Sequence, residues 1–404
     1  MSAPDTTIVV GAGIVGLATA REILRRQPGA SVTVVDKEDR VGAHQSSHNS
    51  GVVHAGLYYP VGSRKAVLCR RGGQLLREFA YAQGIVLLEH GKVVVAVTDD
   101  EVGPLREIER RAAANGVPDL GWLDPAQLAE VEPGISGVAA VHSPHTAVVD
   151  FGDVARALAD DIRRREGSVL LGERVDAVRC EAGETQVRVV TDHGEHVARQ
   201  AVVCAGLTGD RLAVGAGLPR MLVPFRGQYH RLSRTAALRV RGLVYPVPDP
   251  RYPFLGVHLT RGVHGHVEAG PNAVVGFAYE GCRRGAVRFG DLAEIARVPG
   301  LGRFAARHWR AGLREAASSL SLRRYAAAVA RYLPGVTAAD LGESWAGVRA
   351  QALLPDGAMA DDFVLQRRGP VLWVRNAPSP AATASLAIAE VLADDLGVSS
   401  ASGR

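Results

Sequence analysis

The sequence predicts an α/β protein in which a domain with a parallel sheet is interleaved with an α+β domain that carries a mostly antiparallel sheet. Residues 6–36 have the pattern of a buried strand, a helix and a second buried strand, which is typical of a parallel sheet covered by helices. Residues 224–277 alternate short strands with Pro and Gly turns, which is typical of antiparallel pairing. An apolar helix predicted over 381–396 returns the chain to the first domain.

The remaining elements follow from the same periodicities, taken in order along the chain. Helices are predicted at 14–26, 75–83, 102–115, 151–166 (introduced by Asp150) and within 291–332. Strands are predicted at 8–10, 32–35, 87–97, 168–178, 186–190, 200–204, 228–232, 242–247, 255–259 and 273–277. We expect the first domain to comprise residues 1–85, 150–220 and 340–404, and the second to comprise residues 86–149 and 221–339.

Composition excludes several classes of protein. The 404 residues are 47% hydrophobic and 22% charged, which excludes a disordered chain or a fibre. The net charge of +5 is spread out, and no basic run is interleaved with aromatic residues, so nucleic-acid binding is not expected. Four cysteines without C-x-x-C spacing predict neither zinc nor a disulfide framework, and reduced thiols are typical of a cytoplasmic protein. No apolar run reaches the ~18 residues of a membrane span, and no signal peptide is expected.

A glycine-rich turn between the first strand and the first helix predicts a dinucleotide site. The turn is G-x-G-x-x-G and consists of Gly11, Ala12, Gly13, Ile14, Val15 and Gly16. Its glycines permit a tight turn, a close approach to pyrophosphate and close packing of helix on strand, and the helix N-terminus favours the negative charge. Asp36, at the end of the second strand, is placed to accept hydrogen bonds from a ribose. Lys37 follows it and is grouped with the cofactor-binding residues. This domain is therefore predicted to be Rossmann-type.

Three later features favour FAD over NAD as the dinucleotide. Ala205 and Gly206 follow an apolar strand that returns to the cofactor, and the strand that holds Val175 is expected to lie against the adenine. The long loop over 44–56 replaces a plain βαβ repeat. Its small and polar residues offer close backbone approach and hydrogen bonds to a flavin: Gln45, Ser47, Asn49, Ser50 and Gly51. No carboxylate or cysteine joins the histidines of this loop, so a metal site is not expected.

Several sequence blocks carry a resemblance to a known family. Residues 44–59 read H-Q-x-x-H-N-S-G-V-V-H-A-G-L-Y-Y, and further blocks follow in consistent order at 224–229, 255–261, 268–274, 345–351 and 376–383. The chain resembles the L-2-hydroxyglutarate oxidase/dehydrogenase family of FAD enzymes over residues 6–396. The resemblance implies a D-amino-acid-oxidase-like fold, with an FAD-binding domain and an interleaved substrate domain, and oxidation of L-2-hydroxyglutarate or a close 2-hydroxy acid to the 2-oxo acid.

Oxidation of a 2-hydroxy acid requires a carboxylate anchor and a base for the hydroxyl proton. Arg349 is the expected anchor, because G-V-R is similar to the carboxylate-holding motif of related oxidases and because guanidinium binds a carboxylate bidentately. His54 is the first candidate base, since V-V-H-A-G-L-x-Y is similar to the flavin-facing segment of glycerol-3-phosphate dehydrogenases. His258 is the second candidate base. Arg226 is expected to hold either a second carboxylate or only its own loop, and Tyr245 is grouped with the substrate-binding residues.

The start of the last helix is the final cofactor-binding candidate. Pro378, Ser379, Pro380 and Ala381 precede or begin an Ala-rich helix. The positive end of that helix, directed at the N1–C2 carbonyl edge of the flavin, would stabilise the negative charge of the reduced ring.

Alternatives remain open at this point. The histidines of 263–266, the arginines of 297–331 and Cys282 depart from the family pattern and leave room for an amine or amino-acid oxidase, or for a tailoring enzyme that oxidises an alcohol of a larger metabolite. A nucleotide-binding sensor that has lost catalysis is a third hypothesis. The acceptor that reoxidises the flavin is oxygen, a quinone or a carrier protein. With a quinone, an arginine-rich face would contact the inner face of the membrane peripherally.

Overall fold

The protein is described by a computed structural model that covers residues 6–180, 185–249, 256–280 and 286–399. Leu255 and Cys282, which the sequence analysis used, lie outside these residues. No helix in the described parts of the chain has the length and apolar character that crossing a membrane requires.

The strands and helices alternate along most of the chain. The strands are β1 (Thr6–Val10), β2 (Ser31–Asp36), β3 (Val52–Val53), β4 (Leu87–Glu89), β5 (Lys92–Ala96), β6 (Gly121–Leu123), β7 (Ala139–Ser143), β8 (Ala147–Val149), β9 (Ser168–Leu171), β10 (Val175–Arg179), β11 (Val187–Thr191), β12 (Gly194–Ala198), β13 (Gln200–Val203), β14 (Leu222–Leu232), β15 (Leu243–Pro246), β16 (His258–Arg261), β17 (Val267–Gly270), β18 (Val274–Val275), β19 (Leu341–Ala352), β20 (Val364–Arg368) and β21 (Val371–Asn376). The helices are α1 (Ile14–Arg26), α2 (Arg64–Gln83), α3 (Val102–Ala114), α4 (Pro125–Val131), α5 (Phe151–Arg164), α6 (Gly209–Gly215), α7 (Arg234–Ala237), α8 (Phe289–Ala296), α9 (Leu301–Leu320), α10 (Leu322–Ala330) and α11 (Ala381–Asp395). Short 3₁₀ turns lie at Asp99–Glu101, Gly206–Thr208 and Ala338–Asp340.

A six-stranded sheet forms the first layer of the fold, in the order β20-β21-β13-β1-β2-β9. All its neighbours are parallel except β20, which pairs antiparallel with β21. Helices α1, α5 and α11 bury their apolar faces in one core cluster with strand residues such as Val9 and Val34. Burial on both faces explains why these strands read as continuous apolar runs in the sequence.

A larger sheet forms the second layer, and it is mostly antiparallel as predicted. Its order is β14-β17-β16-β15-β5-β7-β6. Strands β17 and β18 pair with successive parts of one edge of β14, and β19 pairs along the other edge. Only the pairing of β15 with β5 is parallel. One face packs against α10 through residues such as Tyr325 and Val329, and the other face is directed toward the first layer at the candidate site.

Two small sheets complete the fold. One has the order β3-β8-β4, and the other has the order β10-β11-β12. The predicted strand over 87–97 is divided between the β3-β8-β4 sheet and the large sheet, because the chain turns at Gly91 with φ of +72°. The predicted strand over 168–178 is likewise divided, at Gly172 with φ of +74°.

The strand pairing can be compared with the predicted division of the chain into two domains. Every strand of the six-stranded sheet lies within 1–85, 150–220 or 340–404. However, β19 lies after the boundary at 340 and pairs with β14 over its whole length, so this segment belongs to the large sheet. Helix α1 has the predicted bounds, and Asp150 caps α5 by accepting a hydrogen bond from the Gly152 N–H at 2.7 Å, as expected.

Candidate active site

The glycine turn lies between β1 and α1, where its backbone has no room for side chains. Gly11 has φ of +109°, and a Cβ there would lie 2.6 Å from the carbonyl oxygen of Cys204. A Cβ on Gly16 would lie 2.0 Å from the carbonyl oxygen of Gly11. These contacts hold α1 close to the end of β13, and the start of the helix lies at an opening that Gly13, Ile14 and Val15 line.

The end of β2 and the polar loop brace this turn. The Asp36 carboxylate accepts hydrogen bonds from the Ala12 N–H at 2.6 Å and the Glu38 N–H at 2.9 Å. The Ser46 hydroxyl accepts one from the Ile14 N–H at 2.9 Å. Ser46 was not among the predicted residues, although its neighbours Gln45 and Ser47 were. The sequence of a loop does not show which of its serines points toward the glycine turn.

A cavity of about 900 Å³ extends from this turn to the large sheet. It is lined by most of the predicted cofactor-binding residues, namely Gly11, Gly13, Ile14, Val15, Asp36, Lys37, Gln45, Asn49, Ser50, Val175, Ala205, Gly206, Pro378, Ser379, Pro380 and Ala381. The first turn of α11 reaches the cavity with Ala381, Ala382 and Thr383. Residues from both ends of the chain therefore form the wall of this cavity.

Four predicted cofactor-binding residues do not line the cavity: Ala12, Gly16, Ser47 and Gly51. Ala12 and Gly16 support the turn from behind. Ser47 turns away and donates its hydroxyl to the carbonyl oxygen of Gly42 at 2.7 Å. Gly51 has φ of +68°, and a Cβ there would lie 2.7 Å from the carbonyl oxygen of Val149, so it is needed for packing on β8.

Lys37 closes the nucleotide end of the cavity. Its ammonium lies 2.8 Å from the Glu280 carboxylate and also contacts Glu38, which accepts a hydrogen bond from His44. Glu38, His44 and Glu280 form a potential metal-ligating group within the described residues. The Lys37 ammonium already supplies a cation to both carboxylates, so the cluster is accounted for as an ion-pair network.

The other end of the cavity brings together the predicted catalytic residues. His54, Tyr245, His258 and Arg349 all line it, although they come from a loop, β15, β16 and β19. The rings of Tyr245 and His258 are stacked, with centroids 3.9 Å apart and planes inclined by 23°. The Nδ1 of His258 lies 3.0 Å from the carbonyl oxygen of Gly256. If Nδ1 carries the proton that this contact requires, the lone pair on Nε2 is available to accept one.

Both candidate bases are neutral imidazoles near neutral pH. Burial, together with the charges of Lys92 and Arg349, lowers the pKa of His54 to about 3. Burial also lowers the pKa of His258 well below its usual range, and the same two cations act in the same direction. A neutral imidazole is the form that accepts a proton.

Arg349 lies near a tyrosine that the sequence analysis missed. The charge of its guanidinium acts on the hydroxyl of Tyr229 of β14, whose ring stacks on Trp345 with centroids 4.1 Å apart. Tyr229 lies in the P-F-R-G-Q-Y block, three positions after the arginine that was chosen. The sequence does not show which residues of β14 point to which side of the sheet, so it does not decide between Arg226 and Tyr229.

Arg226, for which the sequence analysis left two roles open, does not line the cavity. Gly227 and Tyr229 of β14 do line it, and alternate residues of a strand face opposite sides of the sheet. Arg226 therefore shares the far face with Gln228 and His230, where Tyr325 packs on His230. This placement favours a role of Arg226 in its own part of the fold over contact with a second carboxylate.

Comparison with known proteins agrees with this architecture. The family described as FAD dependent oxidoreductase matches residues 6–395. The mitochondrial L-2-hydroxyglutarate dehydrogenase of Nematostella vectensis is 41% identical over 405 residues, covering 96% of this chain and 89% of the relative. The L-2-hydroxyglutarate dehydrogenase of Indibacter alkaliphilus is 40% identical and covers 94% of this chain and 96% of the relative. The chain belongs to the L-2-hydroxyglutarate dehydrogenase family of FAD dependent oxidoreductases.

Solved structures with low sequence identity to this chain confirm the expected D-amino-acid-oxidase-like fold. The dithionite-reduced L-α-glycerophosphate oxidase of Mycoplasma pneumoniae with FAD bound has a TM-score of 0.79 at 20% identity, covering 97% of this chain and 95% of that one. The glycine oxidase of Geobacillus kaustophilus has a TM-score of 0.72 at 20% identity, covering 98% and 95%.

FAD is the cofactor of this family, and the residues of this chain fit it. The turn at Gly11 admits no side chain, the N-terminus of α1 lies at the cavity, and Asp36 lines its nucleotide end. These features match a pyrophosphate and a ribose. The turn, Asp36 and the first turn of α11 would hold the dinucleotide, with the flavin toward His54 and Arg349.

Proposed function

We propose that this protein oxidises L-2-hydroxyglutarate to 2-oxoglutarate. The observation that carries the proposal is the convergence of Arg349, His54 and His258 on one cavity that continues into the dinucleotide turn. A cationic anchor and neutral bases within one cavity are the groups that oxidation of a 2-hydroxy acid needs. The relatives named L-2-hydroxyglutarate dehydrogenase support the choice of this acid within the class.

Each side chain has a distinct task in this proposal. The Arg349 guanidinium binds the C1 carboxylate through two parallel N–H donors, and the hydroxyl of Tyr229 interacts with the same guanidinium. His258 or His54 accepts the proton of the C2 hydroxyl, and the contact from Nδ1 to Gly256 favours His258 by holding its ring in place. Bound FAD supplies the acceptor for the hydride that leaves C2.

The start of α11 has a supporting electrostatic task. Pro378 to Ala381 line the cavity, and the first turn of the helix carries N–H groups without helical partners. Its positive end favours negative charge at the adjoining edge of the cofactor.

The reaction is tested by anaerobic bleaching of the bound flavin. We expect L-2-hydroxyglutarate to bleach it rapidly, and D-2-hydroxyglutarate, lactate, malate and glutamate to bleach it slowly or not at all. Bleaching by an amine or amino acid, with none by any hydroxy acid, would replace the proposal with an amine oxidase. A yellow protein that none of these compounds bleaches would contradict it.

The electron acceptor is tested on the reduced enzyme. Oxygen, a short-chain quinone and an electron-carrier protein represent the three classes of acceptor, and each is mixed separately with the bleached enzyme. The class that restores the flavin colour fastest is the acceptor. Restoration that is faster with quinone in anionic vesicles than with free quinone would support peripheral membrane contact.

A further inference from the structure

The distribution of lysine in this chain is unusual. The sequence has 47 lysine and arginine residues, and only Lys37, Lys65 and Lys92 among them are lysines. Lys37 and Lys65 line the cavity, and Lys92 is 2% exposed on the neighbouring strand β5. Arginine is always protonated in proteins, whereas a buried lysine can lose its proton near neutral pH. All three lysines of the chain thus lie in the wall of this cavity or beside it.

Lys92 lies behind the ring that stacks on a candidate base. Its Nζ lies 3.5 Å from the centroid of the Tyr245 ring and 4.6 Å from that of Tyr58. Strand β15 lies between β5 and β16, so Tyr245 lies between Lys92 and His258. The ammonium, the phenol ring and the imidazole thus form a three-layer stack, with 3.9 Å between the two ring centroids.

The surroundings of Lys92 leave its charge uncompensated. Within the described residues, no carboxylate lies at ion-pair distance from its Nζ, and burial lowers the pKa of this ammonium to about 7. The groups that act electrostatically on the stack come from four other elements: the Cys69 thiol on α2, Tyr58 and His54 on the loop after β3, Tyr229 on β14, and Arg349 on β19. Of the two nearby cations, only Lys92 can become neutral.

We propose that Lys92 is a positioning residue for the proton-accepting step: it holds Tyr245 against His258, and its charge sets how readily His258 or His54 takes the substrate proton. The inference rests on the proposed function. When the base accepts the proton, a new positive charge forms close to Lys92. A protonated Lys92 opposes that charge, and a neutral Lys92 does not. Turnover should therefore increase as pH rises through the range in which Lys92 loses its proton.

The test is the pH dependence of flavin reduction by L-2-hydroxyglutarate in the wild-type holoenzyme and in three variants. In the wild type, kcat/KM should rise on the order of tenfold across neutral pH. Lys92→Met removes the charge, so this rise should disappear and the rate at acidic pH should exceed the wild-type rate. Lys92→Arg keeps the charge at every pH, so the rate should stay near the acidic wild-type value. Lys65→Met, the matched control, should keep the rise whatever its rate.

The outcomes separate the inference from the proposed function. If the wild type is not bleached at any pH, the proposed function fails. If it is bleached but kcat/KM shows no rise across neutral pH, or if the rise persists in both Lys92 variants or vanishes in Lys65→Met, the role of Lys92 is overturned. Visible flavin absorbance shows which variants are folded. If Lys92→Met does not retain flavin, the comparison of Lys92→Arg with the wild type decides, because a merely structural lysine would leave the shape of the pH profile unchanged.

Discussion

The backbone N–H of His54 donates a hydrogen bond of 3.1 Å to the hydroxyl of Thr383, which lies in the first turn of the last helix. The same hydroxyl donates to the carbonyl oxygen of Val52 at 3.2 Å, and Thr383 is fully buried. One side chain from the C-terminal region therefore fixes the segment that carries a candidate base. The same two hydrogen bonds fix the position of α11 relative to the loop after β3 at the cavity.

Thr383→Val should weaken both catalysis and stability. Valine has nearly the shape of threonine but leaves the buried N–H of His54 without a partner, which costs ~1–3 kcal/mol in the free energy of unfolding. We expect kcat to fall by about tenfold or more, because the imidazole loses its fixed position. Stopped-flow flavin reduction and urea unfolding measure the two effects. Thr383→Ser retains the hydroxyl, and an equal loss in that variant would contradict this account.

Arg349→Lys should raise KM for the hydroxy acid more than it lowers kcat. An ammonium cannot reproduce the two parallel donors of a guanidinium, so we expect KM to rise by about tenfold or more. Steady-state kinetics with L-2-hydroxyglutarate measure the change. Arg231→Lys, on the exposed side of β14 beside Glu343, is the matched control and should leave KM unchanged. An unchanged KM in Arg349→Lys would remove this residue from the anchor role.

Gly11→Ala should abolish flavin binding. The added Cβ would lie 2.6 Å from the carbonyl oxygen of Cys204, and φ of +109° is strained for alanine. The turn must shift, and the backbone donors for pyrophosphate shift with it. The ratio of visible to ultraviolet absorbance in the purified protein measures flavin content. Gly215→Ala in α6, where a Cβ would meet no atom within 4 Å, should retain full flavin.

The cofactor half of the site could be predicted from the sequence because its signals are local. The turn at Gly11 and the cap at Asp150 each act within one strand-to-helix connection, and Asp36 acts within the same strand-helix-strand unit as the turn, so spacing along the chain specifies them. The resemblance supplied His54, His258 and Arg349, and the structure brings these residues together.

The substrate half depends on tertiary pairing that spacing does not encode. Arg226 was chosen by its charge, but the phase of β14 directs it away from the cavity and directs Tyr229 toward it. Lys92 begins an apolar strand and resembles a strand-end surface residue until β15 is placed beside it. Tyr229 and Lys92 can be assigned to the site only when the order of the strands in the large sheet is known.

Arg375→Met should destabilise the fold strongly. Arg375 donates to the Asp210 carboxylate at 2.9 Å, and both side chains are almost fully buried. Removal of one partner leaves an uncompensated buried charge, which costs ~3–5 kcal/mol in the free energy of unfolding. Urea unfolding measures it. Arg231→Met breaks an exposed ion pair and should cost no more than ~1 kcal/mol. Equal losses in the two variants would contradict the importance of burial.

Lys92→Met should stabilise the protein at neutral and acidic pH, and the gain should shrink as pH rises. Burial lowers the pKa of Lys92 from 10.5 to about 7, so between these values the unfolded chain binds more protons than the folded one. The contribution of Lys92 to the free energy of unfolding is therefore most unfavourable below pH 7 and becomes less so as pH rises toward 10.5. Methionine removes this penalty, so its advantage should be on the order of 5 kcal/mol at acidic pH and should vanish above the upper value. Urea unfolding of both proteins across this pH range measures the difference, and a gain that does not change with pH would show that packing, rather than the buried charge, is responsible.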